Sequence, residues 1–227
     1  MPDAVICGYA RTPFGRFRGA LSSYSAVELG IRAVEELLRR TGIDPSGGEI
    51  DQVYMGQVLQ AGAGQAPARQ VALGCGMPNS TSCTTINKVC GSSLKAVMIA
   101  ASEIRAGVSE LVVAGGMESM SNAPRFIREA RRGEDVPFKS LLSILSHDGL
   151  TDAFSGELMG NTGETCALEY GISREESDAY SLRSHKLSAK GWENGGIENE
   201  CVSMEELSID EGISCLLYTS PSPRDRT

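Results

Sequence analysis

The segment from Gly91 to Ala106 constrains the fold more than any other stretch of this chain. Leu94, Ala96, Val97, Met98, Ile99, Ala100, Ala101 and Ile104 place small or apolar side chains on every face of a helix, interrupted by the charges of Lys95, Glu103 and Arg105. A helix that is apolar all round is a buried helix. It needs packing on more than one side, and the four strands readable in this chain cover one side at most. Immediately before it, Cys90 stands where a β-rich run, Ser82–Asn87, gives way to the helix. A helix N-terminus offers unpaired backbone N–H groups and a partial positive charge. Such a setting favours the thiolate, which is the nucleophilic form of cysteine. Its position makes Cys90 the candidate nucleophile.

The rest of the first half alternates between two periods. Ala4–Tyr9 reads as a buried strand, and Asp51–Leu59, Ser82–Asn87 and Glu110–Ala114 read as three more. Between them, Ala26, Leu29, Ala33 and Leu37, with Gly30, Val34 and Leu38 beside them, predict a helix over Ser25–Arg40 closed by Gly42. Ala66–Leu73 predicts a shorter helix ended by Gly74. Strands alternating with helices imply an α/β fold with a mostly parallel sheet covered on its faces. After Gly115 the texture becomes polar, acid-rich and helical in patches. Ser173-Arg-Glu-Glu176 is a capping box that opens a helix running to Lys190. Residues 214–227 have no period, two Ser-Pro steps and a basic end, and no structure is expected of them.

Charge excludes one class of function. The chain has 29 acids and 21 bases; 10 of each lie in residues 1–120, so 19 acids and 11 bases lie beyond. No basic face is expected, which argues against nucleic acid as a partner. The seven cysteines show no Cys-x-x-Cys pair and no cluster with histidine, so no metal site is expected. Their odd number and apolar settings fit reduced thiols in the cytoplasm. Cys7, Cys75, Cys83, Cys166 and Cys201 are expected to be small buried hydrophobes. No run approaches the length of a membrane span. The N-terminus enters its first predicted strand at once, leaving no room for a targeting peptide. Gly115-Gly116 follows a strand, but neither Gly-x-Gly-x-x-Gly nor Lys-Ser/Thr accompanies it, so a nucleotide loop is unsupported.

Several blocks, taken in order, resemble the N-terminal half of a thiolase. They are Arg11-Thr-Pro-Phe-Gly, Gly64-Gln-Ala-Pro-Ala-Arg-Gln, Asn87-Lys-Val-Cys-Gly-Ser-Ser and Val113-Ala-Gly-Gly-Met-Glu-Ser-Met-Ser-Asn-Ala-Pro124. Asp148-Gly-Leu-Thr-Asp-Ala-Phe154, Met159-Gly-Asn-Thr-Gly-Glu164 and Ile172-Ser-Arg-Glu-Glu-Ser-Asp-Ala-Tyr continue the series. Each is weak alone; together they are specific across residues 3–213. The resemblance implies residues 1–118 as the first core half, residues 119–213 as most of an inserted α-rich loop domain, and residues 214–227 as a tail foreign to the pattern. It also implies that the helix after Cys90 lies buried between two similar halves.

The resemblance further implies an acyltransferase acting on coenzyme A thioesters, with no covalently bound cofactor. Cys90 would attack a 3-ketoacyl-CoA such as acetoacetyl-CoA, or acetyl-CoA in the condensing direction, to form an acyl-enzyme. Its backbone N–H would help hold the thioester oxyanion. Met159 would lie against the acyl-CoA, and Leu150 would contact the pantetheine arm. Leu158 occupies a position where short-chain members often carry histidine, which leaves chain-length preference open. A histidine base, a second cysteine and a water-orienting asparagine belong to the family's second half, and this chain does not reach them. The pattern breaks at Ser214, and the expected consequence is a chain without turnover. The alternative is a non-catalytic fragment that acts only through association.

Homo-oligomers, dimeric or tetrameric, are implied for the full-length protein. Arg125, Arg128, Arg131 and Arg132 form a basic run suited to a solvated helix face, to the tetramerisation loop or to a CoA phosphate. His147 and His185 match no catalytic base of the family. Ketoacyl synthases also use a helix-start cysteine, but the Gly-Gly-Met-Glu-Ser-Met block favours the thiolase reading. Met117, Met120 and Met159 are, on composition alone, gap-fillers of a core.

Overall fold

The computed structural model describes residues 3–127, 137 and 141–213. The chain divides into two compact units. The first comprises the chain before Ala10 together with Ser23–Met159, and the second comprises Ala10–Ser22 with the chain after Met159.

In the first unit, α1 (Ala26–Thr41) begins at a reciprocal capping box. The Ser25 amide donates to Glu28 Oε2 at 2.7 Å, and the Glu28 amide donates to Ser25 Oγ at 3.2 Å. It ends at Gly42, whose φ of 70° is the left-handed cap glycine adopts without penalty. Ala26, Gly30, Val34 and Leu38, four residues apart, form its buried stripe. Next come β1 (Gln52–Gly56), α2 (Pro67–Gly74), β2 (Ser82–Ile86), α3 (Ser92–Ala106) and β3 (Val112–Gly116). The three strands form one sheet in the order β2-β1-β3, and both pairings are parallel. Central β1 sends alternate side chains to opposite faces. Val53 and Met55 join Val34, Leu38, Ala68, Val71, Val113 and Met117 in the main core beneath α1 and α2. Tyr54 faces the other way, toward Ala96 and Ala100 of α3.

Two expectations change here. Residues 4–9 form no strand, and Val5 and Ile6 are 72% and 81% exposed. A strand exists only where a neighbour completes its ladder, and β2 and β3 remain the two edges of the sheet. Helix α3, expected to be buried, is buried on one face. Ser92, Ala96 and Ala100 meet the sheet while Leu94 and Met98 are 67% and 53% exposed. The sheet covers one side of this helix, and no second layer of the described residues covers the other. Beyond β3, Arg125–Phe126 (β4) pairs antiparallel with Leu142–Ser143 (β5), and a π-helical turn spans Leu145–Gly149.

In the second unit, α4 (Met159–Tyr170) and α5 (Arg174–Glu193) carry no buried residue. Helix α5 starts at the predicted capping box: the Ser173 amide donates to Glu176 Oε2 at 2.8 Å and the Glu176 amide to Ser173 Oγ at 3.1 Å. The anchor of this unit is Asp210. Its carboxylate accepts from both terminal nitrogens of Arg11, from the Phe14 amide and from the Trp192 indole. Among the described residues, no helix is long and apolar enough to cross a membrane.

Candidate active site

The carboxyl ends of the three parallel strands converge beneath the start of α3. In an open α/β sheet this edge is where ligands bind. Two glycines set the approach. A Cβ on Gly56, at the end of β1, would stand 2.6 Å from the Ser92 carbonyl carbon and from the Ser93 nitrogen. A Cβ on Gly116, at the end of β3, would stand 2.5 Å from Ser93 Oγ. Only glycine at both places lets the first turn of α3 rest directly on the sheet.

Cys90 occupies the turn between β2 and α3, and the surrounding hydrogen bonds hold that turn. Asn87 Oδ1 accepts from the Val89 amide at 2.9 Å, the Lys88 amide donates to Ser92 Oγ at 2.8 Å, and that hydroxyl donates to Val89 O at 2.6 Å. Val89 has φ 48°, a left-handed conformation that a β-branched side chain strongly disfavours. Strain of this kind survives only where neighbouring bonds overdetermine it, and it concentrates at functional turns. The Cys90 side chain is exposed and makes no hydrogen bond among the described residues. Helix α3 has Gly91 as its N-cap, so no side chain caps its first amides. The Gly91 and Ser92 amides donate to Lys88 O and Val89 O, both at 3.1 Å, and a nucleophilic sulfur beside the amides that follow can attack an electrophilic carbonyl while those amides face the developing oxyanion.

Leu150 and Met159, the expected substrate contacts, come together. An antiparallel bridge pairs Thr151 with Leu158, and the Met159 amide donates to Leu150 O at 2.9 Å. Both side chains are partly exposed, as is Leu158. No hydrogen bond joins this pair to the Cys90 turn among the described residues.

The remaining cysteines divide. Cys75 and Cys201 are buried and Cys83 is partly so, but Cys7 and Cys166 are exposed, contrary to the buried setting expected. Cys7 loses its cover with the unpaired segment 4–9, and Cys166 lies on α4, which buries nothing. Burial, with the Glu35 charge adding to it, pushes the Cys75 thiol up to about 12. That thiol is inert. Met117 is buried as a gap-filler, whereas Met120 is exposed. His147 bonds to Asp148 through Nδ1 and packs edge-on against Phe126, its ring centroid 5.4 Å away. His185 is exposed on α5. Arg125 donates to Leu141 O at 3.3 Å, while Arg128, Arg131 and Arg132 lie outside the described residues.

One acid of the site was not singled out by sequence reasoning. Glu118 stands two residues beyond β3 and accepts from the Val58 amide at 2.8 Å and the Leu59 amide at 3.3 Å. Burial raises its carboxyl above the ordinary range, outweighing those amides, which pull the other way. Its sequence signal was a lone acid closing the apolar run Val112–Met117.

A family model described as the thiolase N-terminal domain matches residues 4–213. The chain belongs to the thiolase family. A probable acetyl-CoA acetyltransferase of Escherichia coli (strain K12) is 45% identical over 224 residues, spanning 99% of this chain and 56% of that relative. Acetyl-CoA acetyltransferase 2 of Arabidopsis thaliana is 47% identical over 203 residues, 89% of this chain and 50% of the relative. The chain thus spans about half the length of these curated relatives. Among solved structures, the Acat5 thiolase from Ascaris suum in complex with coenzyme A superimposes with a TM-score of 0.85 at 36% identity. That match covers 97% of this chain and 59% of the other.

Proposed function

We propose that Cys90 is the acyl-accepting nucleophile of an acetyl-CoA acetyltransferase-type reaction. The observation that carries this reading is an exposed cysteine, in a strained and fully braced turn, at the uncapped start of α3 on the carboxyl edge of a parallel sheet. The kinship with acetyl-CoA acetyltransferases and with a thiolase seen with coenzyme A supports the choice of a CoA thioester as substrate.

In the first step Cys90 Sγ bonds to the thioester carbonyl carbon, the bond from that carbon to the CoA sulfur breaks, and the departing CoA thiolate takes up the thiol proton. The α3 amides face the oxyanion of the tetrahedral intermediate. In the condensing direction a second acetyl-CoA loses an α-proton, its carbon attacks the acyl carbon, and Cys90 leaves as the thiol. Leu150 and Met159, already paired, offer apolar contact to the pantetheine arm and the acyl group.

The proton transfers of the second step need a base, and within residues 3–213 neither His147 nor His185 matches the family's pattern, so acylation without turnover is what these residues by themselves support. Incubation with acetyl-CoA followed by intact-mass analysis is the test. One acetyl group per chain, lost in Cys90→Ala, is expected together with no steady-state acetoacetyl-CoA thiolysis. An unmodified chain, or acetylation that persists in Cys90→Ala, overturns the reading. A second reading, association without chemistry, is favoured by the uncovered apolar face of α3. Full-length subunits, which the family forms as homo-oligomers, are the partner it implies.

A further inference from the structure

We propose that Glu118 is a positioning residue for Cys90, acting through a hydrogen-bonded relay that crosses the carboxyl edge of the sheet. The relay has three links. The Val58 amide donates to Glu118 Oε2 at 2.8 Å; Asn87 Nδ2 donates to Val58 O at 3.3 Å; the Val89 amide donates to Asn87 Oδ1 at 2.9 Å. Cys90 is the next residue. The relay therefore ties the segments that follow β3, β1 and β2 into one strip, with the carboxylate at one end and the sulfur-bearing turn at the other.

The chemistry of each member suits this role. Two adjacent amides, Val58 and Leu59, converge on the carboxylate, which can only accept when ionised. A glutamine in its place would turn a donor toward one of them. Asn87 both donates and accepts through one side chain, so it converts the position of the Val58 carbonyl into the position of the Val89 amide. Val89 is the strained member, and a left-handed β-branched residue relaxes once its bonds are loosened. Glu118 makes no ion pair among the described residues, so its half-buried charge is committed to this strip.

This inference rests on the acyl-acceptor reading of Cys90 for its importance, but its test does not use acyl transfer. The full chain is treated with iodoacetamide, and the alkylation rate of each cysteine is read by peptide mass spectrometry. Exposed Cys166 serves as the reference, and buried Cys75 reports loss of folding. In Glu118→Gln and in Asn87→Ala the Cys90 rate falls about threefold or more, with Cys166 unchanged and Cys75 protected. The double variant is no slower than the slower single, because both lie on one path. An unchanged Cys90 rate in either variant, or losses that multiply in the double, overturns the relay. If Glu118→Gln makes Cys75 reactive, Asn87→Ala decides alone. A wild-type chain that resists acetylation yet shows the coupled rates defeats the acyl-acceptor reading and leaves the relay standing.

Discussion

Arg11 and Asp210 are 199 residues apart in the chain and meet as a two-pronged ion pair, with Arg11 Nη1 and Nη2 donating to the two carboxylate oxygens at 2.7 and 3.0 Å. The Arg11 backbone is bound as well: its amide donates to Glu200 O at 2.9 Å, and its carbonyl accepts from the Val202 amide at 2.7 Å. The planar guanidinium matches a carboxylate in a way lysine does not. Replacing Asp210 with asparagine removes one of the two carboxylates that pair with Arg11, leaving Glu200 on Nε at 2.8 Å. A loss of about 2 kcal/mol is expected from the second unit. The chain's single tryptophan, Trp192, donates to this carboxylate at 3.1 Å, so its fluorescence in urea reads the loss directly.

The same carboxylate sets an acid limit. Burial alone pushes the Asp210 carboxyl up, but Arg11, the Phe14 amide and the Trp192 indole together hold it below the ordinary range. A carboxyl depressed on folding stabilises the folded state above its unfolded value of about 3.9 and loses that contribution as pH falls through the folded value. The urea midpoint followed by Trp192 is expected to hold on this account down to about pH 4 and to drop below it. In Asp210→Asn this step disappears. A step that survives in the variant belongs to another group.

Gly56 is expected to be irreplaceable. In Gly56→Ala the new methyl meets backbone atoms of Ser92 and Ser93 at 2.6 Å, and backbone cannot rotate aside as a flexible side chain does. Either α3 lifts from the sheet or β1 bends, at about 1–3 kcal/mol. Thermal melting measures the cost, and slowed Cys90 alkylation shows that α3 has shifted.

Val89→Gly is expected to raise stability by about 1 kcal/mol while slowing the chemistry of Cys90. Glycine removes the left-handed strain at φ 48° but adds freedom to the unfolded chain and to the turn. The two effects are read separately, by denaturant midpoint and by acetylation rate. A variant that is both more stable and equally reactive contradicts the role given to the strained turn.

The face of α3 that no other described residue covers predicts self-association. Leu94, Val97 and Met98 are exposed together on one helix, and contiguous apolar surface invites burial against another molecule. Sedimentation velocity of the wild-type chain is expected to show concentration-dependent oligomers, and Leu94→Glu with Met98→Glu to shift them toward monomer. Wild-type sedimentation as a sharp monomer rules this out.

Local chemistry was legible in the residues. The capping boxes at Ser25 and Ser173 and the left-handed glycine at 42 need only neighbours three or four positions away; α1 starts and stops where those residues place it, and α5 starts there but runs on past Lys190 to Glu193. Cys90 at a strand-to-helix turn was legible for the same reason. Residues 4–9 were misread because apolar composition shows that a segment can be a strand and says nothing of whether a partner strand exists beside it. The exposure of Cys7 and Cys166 escaped for a similar reason: burial depends on what stands opposite.

What the sequence alone determined, then, is three strands and the helices between them, the start of α5, the parallel α/β class, the family, and the position of one thiol before one helix. These follow from periodicity, caps and blocks of residues contiguous along the chain. Tertiary structure decided the rest. It brought Glu118 to Val58 across 60 positions, joined Leu150 to Met159, and placed Gly56 and Gly116 beneath Ser93. Among the described residues it also left the outer face of α3 open. The Glu118 and glycine contacts join partners from separate strands, which only the assembled parallel sheet brings within reach, and the Leu150–Met159 contact needs the chain between them to turn back on itself.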